Sequence, residues 1–474
     1  MLKINRIRMV ILMLIFIVVL VLNIGCVKGL PPEKPSSPED VSTTSTEEVS
    51  LTPSEDVSAT ILTDEYIMPA AELETTKTYP DIIMIENKYI KISVVPNRGR
   101  LVFDYLFKPT GNSELYRNAN PSPVKVTTDY VVEFGGYYLS LPWNPRARQP
   151  YDLEYKLIEK GPDITEVYMW GEDPMNSAFV EVWVTVEKDS SLVQLKTRIS
   201  NKTEEDMNIE LSDYAVVAPG GGLTDNSKFI IPASEVTIEQ SEDNWMGAKG
   251  DVISWPPIWS KWVSFGHFGL FNIQIDKMNG PFIAINNHDT GDTLVKHWEP
   301  ADFFDGLRVW SWGKDYADTR GAEPTANFEN YTGIISIPLG ESIDLLTHFY
   351  TLKDMQNITM ANSTFAGWLE ADKQIYRIGE DQSVEIQSQV GSSKDYRNVN
   401  LKVFLTDLDD NVLTQVTSEK VAAISPTELY SGSWKVGLKD TMVEPGEYIF
   451  KLELLDTNDV SVFTVKSPPV LIIK

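Results

Sequence analysis

Phe179-Val-Glu-Val-Trp-Val-Thr-Val186, followed after a polar break by Leu192-Val-Gln-Leu-Lys-Thr-Arg-Ile199, decides the fold class. In both stretches apolar side chains recur at about every second position. That is the period of a strand with one face on a core and the other towards solvent. Working outward, Ile82 to Val95 reads as two short strands, Ile82-Ile-Met-Ile85 and Tyr89-Ile-Lys-Ile-Ser-Val-Val95, around a polar connection. Phe282-Ile-Ala-Ile285 and Gly333-Ile-Ile-Ser-Ile337 repeat the pattern. Gly, Pro, Asn and Asp separate these runs, and no long window carries a helical period. The succession predicts an all-β chain, with one large sandwich over residues 79–362.

A second, smaller unit is expected over 363–474. It opens on Phe365-Ala-Gly-Trp-Leu369 and continues through Ser383-Val-Glu-Ile-Gln-Ser-Gln-Val390, Leu401-Lys-Val-Phe-Leu405, Gly432-Ser-Trp-Lys-Val436 and Tyr448-Ile-Phe-Lys-Leu-Glu-Leu-Leu455. Pro445-Gly446 is a turn feeding the last of these. About seven strands in roughly a hundred residues is the density of an immunoglobulin-like sandwich, here without a disulfide.

The N-terminus carries a different signal. Lys3, Arg6 and Arg8 precede an apolar run from Met9 to Ile24, closed by Gly25-Cys26. Basic start, apolar centre and small closing residue form a secretory signal. Cys26 is the single cysteine of the 474 residues, and its place after the apolar run marks it as a lipid-modified cysteine. Asn23 stands where a lipobox usually has leucine, so an uncleaved signal anchor remains the alternative. Either reading puts the body outside the cell membrane, tethered by residues 1–26. Residues 27–78 then read as a solvated spacer: Pro31 to Thr75 holds eleven acids against one base, Lys34, and such a stretch buries too little apolar surface to order itself.

A formal charge of −27 repels nucleic acid, which is excluded as a partner. A neutral sugar meets no such penalty, and twelve Trp and nineteen Tyr supply faces for stacking on one. One cysteine rules out an internal disulfide and an all-cysteine metal site, and four histidines argue against a His-rich centre. No metal and no cofactor is expected. Gly220-Gly-Gly222 lacks the Lys-Ser/Thr of a phosphate loop, and Leu408-Asp-Asp-Asn411 lacks EF-hand spacing.

The order of motifs over the large unit resembles the galactose-mutarotase-like (aldose-1-epimerase-like) supersandwich, nearest to a bacterial domain-of-unknown-function branch. The likeness is carried by Ile85-Glu-Asn-Lys-Tyr-Ile-Lys-Ile-Ser-Val-Val-Pro-Asn-Arg-Gly-Arg-Leu101, Phe107-Lys-Pro-Thr-Gly-Asn-Ser-Glu-Leu-Tyr-Arg117 and Phe134-Gly-Gly-Tyr-Tyr-Leu-Ser-Leu-Pro-Trp-Asn144. Trp255-Pro-Pro257, Asn287-His-Asp-Thr-Gly291, Val309-Trp-Ser-Trp-Gly313, Phe328-Glu-Asn-Tyr-Thr-Gly333 and Ile337-Pro-Leu-Gly-Glu-Ser342 follow in order.

The resemblance implies a carbohydrate-binding groove, with or without turnover. In mutarotation a base takes the proton of the C1 hydroxyl while an acid protonates the ring oxygen. By resemblance Glu329 is the base, and His288 or His267 is the candidate acid. His288 lies in a polar loop, His267 is flanked by Gly266 and Phe268, and His348 alternates on a strand and reads as core. Arg98 and Arg100, flanking Gly99, could fork sugar hydroxyls or a uronate, or form a surface pair with nearby acids. Trp143, Asn144, Trp310 and Trp312 are the remaining ligand-binding candidates. Trp310 and Trp312, two apart, share a strand face. A cell-envelope docking protein with no ligand groove is the third reading.

Overall fold

The computed structural model describes residues 56–62, 66–69, 76–79, 82–116, 123–126, 129–132, 135–141, 153–173, 176–257, 268–312, 325–438 and 444–474. The signal segment with Cys26 lies outside these residues, as do most of the spacer, Trp143, Asn144 and His267. Every regular element among the described residues is a strand or a short 3-10 turn, and no described helix is long and apolar enough to cross a membrane. The all-β expectation holds.

Two large antiparallel sheets build the first sandwich. A twelve-stranded sheet runs from Ser58–Leu62 through Ile82–Glu86, Ile90–Val95, Arg100–Phe107, Gly136–Ser140, Ser212–Val217, Thr325–Tyr331, Gly306–Trp312, Gly269–Gln274 and Glu235–Ser241 to Val252–Ser254, with Asn112–Ser113 as a twelfth strand paired to Arg100–Phe107. An eight-stranded sheet runs from Glu154–Glu159 through Ile164–Glu172, Phe179–Glu187, Val193–Ser200, Ser342–Lys353, Asp292–Glu299 and Phe282–Asn287 to Ser227–Ile230. One cluster of buried side chains draws on both, with Ile92, Val102 and Phe328 from the first sheet and Val182, Leu195 and Phe349 from the second.

The alternation read from the sequence is realised. In Phe179–Glu187 each of Val180, Val182, Val184 and Val186 is buried, and in Val193–Ser200 so are Val193, Leu195 and Ile199. The spacer reading needs correction at its far end. Ser58–Leu62 pairs antiparallel with Ile82–Glu86, and Val57 is buried in the core. The acidic composition of the region masks a short apolar run, Val57-Ser-Ala-Thr-Ile-Leu62. An open sheet edge offers unpaired backbone groups that such a run can satisfy.

Phe282–Asn287 and Asp292–Glu299 behave differently, being buried on both faces. Ile283, Ile285 and Leu294 face the first core. Phe282, Ala284 and Val295 face the other way and pack, with Tyr350 and Leu352, against Ala366 and Trp368 at the start of the C-terminal part. That part is itself a two-sheet sandwich. Four strands (Met360–Ala361, Phe365–Ala371, Ser383–Ser392, Tyr430–Gly437) oppose a six-stranded sheet that includes Tyr396–Thr406 and Gly446–Leu455. Its core includes Leu369, Ile386, Leu401, Leu452 and Val465. Polar contacts stitch the two sandwiches: Asp395 accepts from Tyr89 Oη at 2.5 Å and Lys88 Nζ at 2.8 Å, and Ser191 N donates to Ser393 O at 2.6 Å.

Between the two large sheets lies one buried ion pair. Lys296 Nζ is 2.6 Å from Asp213 Oδ1 and 2.5 Å from Asn330 Oδ1, and the Lys296 and Asp213 side chains are both wholly buried. Burial pushes the Lys296 pKa down, and the Asp213 carboxylate opposes that. Removing one member of such a pair leaves the other charge stranded. Asp213→Ala is therefore expected to cost about 3–5 kcal/mol in urea denaturation, and the double variant Asp213→Leu/Lys296→Met much less. Equal losses in the two would show that the pair does not couple the sheets.

Candidate functional site

The strand Thr325–Tyr331 decides which side of the large sheet carries chemistry. Phe328 packs edge-on against Phe229 of the opposite sheet, 6.2 Å between ring centroids, so it faces the core together with Asn330. Asn327, Glu329 and Tyr331 must then face outward. Strand register extends that outer face sideways: Tyr138, Tyr214, Glu329, Arg308 and Asn272 stand directly beside one another on five successive strands.

Glu329 is at the centre of this row and has no solvent exposure. Its carboxylate is held by donors. Trp310 Nε1 reaches Oε2 at 2.9 Å, Ser212 Oγ reaches Oε1 at 3.2 Å and Arg308 Nη1 reaches Oε1 at 3.4 Å. Arg308 is the pivot of the outer layer. Its side chain is 30% exposed, its guanidinium lies 4.1 Å from the Tyr331 ring centroid, and Nε is 3.5 Å from Glu239 Oε2. Tyr331 Oη donates to Asn272 Oδ1 at 3.0 Å, and Gln274 Nε2 donates to Tyr331 Oη at 3.3 Å. Gln274 also lines a cavity of about 830 Å3, with Lys277, Met278, Pro281, Asp302 and Phe304 among its walls. On the other flank Tyr138 and Tyr214 rings lie 5.2 Å apart, and Asn327 Nδ2 donates to Tyr214 Oη at 2.7 Å.

This is a buried carboxylate under a partly exposed cover of arginine, indole and phenol. An ionised carboxylate only accepts hydrogen bonds, and Ser212, Arg308 and Trp310 already use both its oxygens. Glu329 is thus poised to orient Arg308 and Trp310.

The other expected residues are scattered. His288 is exposed on the turn after Phe282–Asn287 of the eight-stranded sheet, its pKa lowered by partial burial and by Lys228. That turn is architectural: Asn287 Nδ2 donates to Pro219 O at 2.9 Å and Gly222 O at 3.0 Å. Gly220, at φ +75°, is tucked against it, where a Cβ would lie 2.3 Å from Thr290 Oγ1. Arg98 ends the 3-10 turn Pro96–Arg98 and Arg100 opens the next strand, with Gly99 left-handed between them; their side chains lie outside the described residues. The same holds for the Trp312 side chain. Of the expected ligand set, the structure brings together Glu329 and Trp310.

Sequence reasoning missed Arg308, although its place two residues before Trp310 on one strand was a readable signal. It also missed a carboxylate pair. Glu114 is wholly buried, and burial and nearby Asp292 hold its pKa well above the usual range, against a backbone donor at Gly220.

Two histidines meet elsewhere, on the outer face of the eight-stranded sheet. His297 and His348 are direct partners in the antiparallel register, with ring centroids 5.6 Å apart and both side chains buried. Burial lowers the His348 pKa to about 4; burial and then His348 lower that of His297 to about 3.

No family model matches the chain, and no curated protein matches it. Similar solved structures share low identity. A TPR-domain-containing protein from Parabacteroides distasonis is 14% identical over 60% of this chain, TM-score 0.48. The chain spans about half of that protein's length, 48%. The Slr1438 protein of Synechocystis is 14% identical over 59% of this chain and 99% of its own, TM-score 0.42. A galactose mutarotase-like protein from Clostridium acetobutylicum is 11% identical over 63% of this chain and 100% of its own, TM-score 0.43. The chemistry of the site rests on its own residues.

The histidine pair makes a prediction about acid. The unfolded chain takes up protons at both imidazoles below about pH 6.5 while the folded chain does not, so stability falls as pH drops from 6.5 towards 4. In EDTA-containing buffer the loss by pH 5 is expected to be about 2 kcal/mol per histidine. Urea denaturation of His297→Gln/His348→Gln should show that limb flattened, with the charged neighbour Glu299 unchanged. An identical acid limb in the variant would contradict the assignment.

Proposed function

We propose that the chain is a membrane-tethered, extracytoplasmic carbohydrate-binding protein that takes a sugar against the Arg308–Trp310–Tyr331 cover. The observation that carries this reading is the fixed Glu329 carboxylate beneath that cover. A sugar needs an aromatic face for its C–H surface and planar donors and acceptors for its hydroxyls. Trp310 and Tyr331 supply the first, and Arg308, Asn272 and Gln274 supply the second, beside a cavity large enough for one or two sugar rings. The ordered motif resemblance and the acidic surface point to the same neutral ligand class. The C-terminal sandwich, with its immunoglobulin-like strand density, serves on this reading as a docked support and takes no part in binding.

Binding is favoured over epimerase catalysis by the company Glu329 keeps. Its partners are Ser212, Arg308 and Trp310, whereas among the described histidines His297 and His348 lie on strands of the other sheet and His288 on the turn after one. Calorimetry on a panel of mono- and oligosaccharides, with polarimetry on the same sugars, tests the reading. At least one sugar should bind, and Arg308→Ala and Trp310→Ala should each weaken it by about tenfold or more, equivalent to about 1.4 kcal/mol. No binding across the panel overturns the proposal; anomer interconversion lost in Glu329→Gln replaces it with the epimerase.

The tether has its own test. On the lipoprotein reading Cys26→Ser releases the body from the membrane fraction, and on the signal-anchor reading the variant stays there. Wild-type protein in the soluble cytosolic fraction overturns both.

A further inference from the structure

The pairing of His297 with His348 leaves something unaccounted for. Nδ1 of each ring is buried and has no hydrogen-bond partner. A buried polar atom left unsatisfied is destabilising, and here two lie side by side. Elsewhere on this sheet face Thr185 Oγ1 donates to Glu166 Oε2 at 3.0 Å, and Tyr168 Oη donates to Glu181 Oε1 at 2.6 Å. The third component follows from strand alternation. Glu299 lies two residues beyond His297 and so projects from the same face. Its Oε1 is 3.8 Å from His297 Nδ1, and its side chain is 47% exposed. One ligand atom from each of His297, Glu299 and His348 can be chosen so that all three lie within 4.8 Å of one another.

We propose that His297, His348 and Glu299 form a binding site for a divalent transition-metal ion of the zinc class. Two imidazoles and one carboxylate suit such an ion better than calcium or magnesium, which prefer all-oxygen shells. Tetrahedral coordination at about 2.0–2.1 Å places ligand atoms about 3.4 Å apart, within reach of small side-chain rotations from the present spacing. The setting suits metal entry too. On one side of the histidines Val295 and Tyr350 close the site within the junction between the sandwiches. On the other side Glu299 opens to solvent. An ion ligates neutral imidazole, the form that burial already favours for both rings. Four histidines in 474 residues argued against a metal centre, but that count carries no information about register, and register sets two of the four opposite each other.

The full chain, purified in detergent without an affinity tag and stripped with EDTA, is titrated with Zn2+ by calorimetry and with Co2+ by visible absorption. One ion per chain is expected, with the d–d bands of low-symmetry cobalt. His348→Gln and Glu299→Gln should each weaken binding by at least about tenfold, while His288→Gln, on its separate turn, should leave it unchanged. Absence of stoichiometric binding overturns the proposal, as does wild-type affinity in Glu299→Gln. Glu299 is half-exposed, so its variant should remain folded and decide the matter even if His348→Gln does not fold. Sugar binding is read separately, so failure here leaves the carbohydrate reading intact.

Discussion

Lys296 carries a charge that the two large sheets hold in common. Its ammonium leaves the eight-stranded sheet, crosses the apolar layer and ends on Asp213 and Asn330 of the twelve-stranded sheet. A charge in that layer is tolerated only where its partners stand within hydrogen-bond reach, so sliding one sheet over the other would leave it unpaired. Asp213 also accepts from Tyr137 Oη at 3.2 Å, Thr347 Oγ1 at 3.5 Å and the backbone N–H of Asn330 at 3.2 Å. The anion is therefore tied to three strands as well as to the lysine.

That constraint reaches the candidate site by one residue. Asn330 and Asp213, fixed from below by Lys296, are the chain neighbours of Glu329 and Tyr214, which face outward above. Because successive side chains of a strand point to opposite faces, fixing the inner pair fixes the outer row. The outer row then fixes Arg308 through Glu329 and Tyr331, and the Trp310 indole through Glu329 Oε2.

Much of this was legible from period and composition. The strands around Val182 and Leu195 declare themselves by alternation, and Glu329 and Trp310 were named by motif. Arg308 was passed over because arginine at an alternate strand position is usually a solvated face, and only the neighbouring strand shows what it touches. Ser58–Leu62 was absorbed into the spacer because local composition is averaged over the window in which it is read. The strand pair Phe282–Asn287 and Asp292–Glu299 reads as short apolar runs, yet nothing local says that both faces are covered, one of them by Trp368 from much further along the chain.

The sequence by itself determined the strand period, the all-β class, the apolar N-terminal segment ending in the single cysteine, and a strongly acidic composition. These are local or summed properties, and they survive whatever the chain does at long range. Tertiary structure alone decided which side chains meet: Glu329 with Arg308, Lys296 with Asp213 and His297 with His348. Each meeting depends on the register between strands distant in sequence. Register follows from how two whole faces bury against each other, and no single segment contains that information.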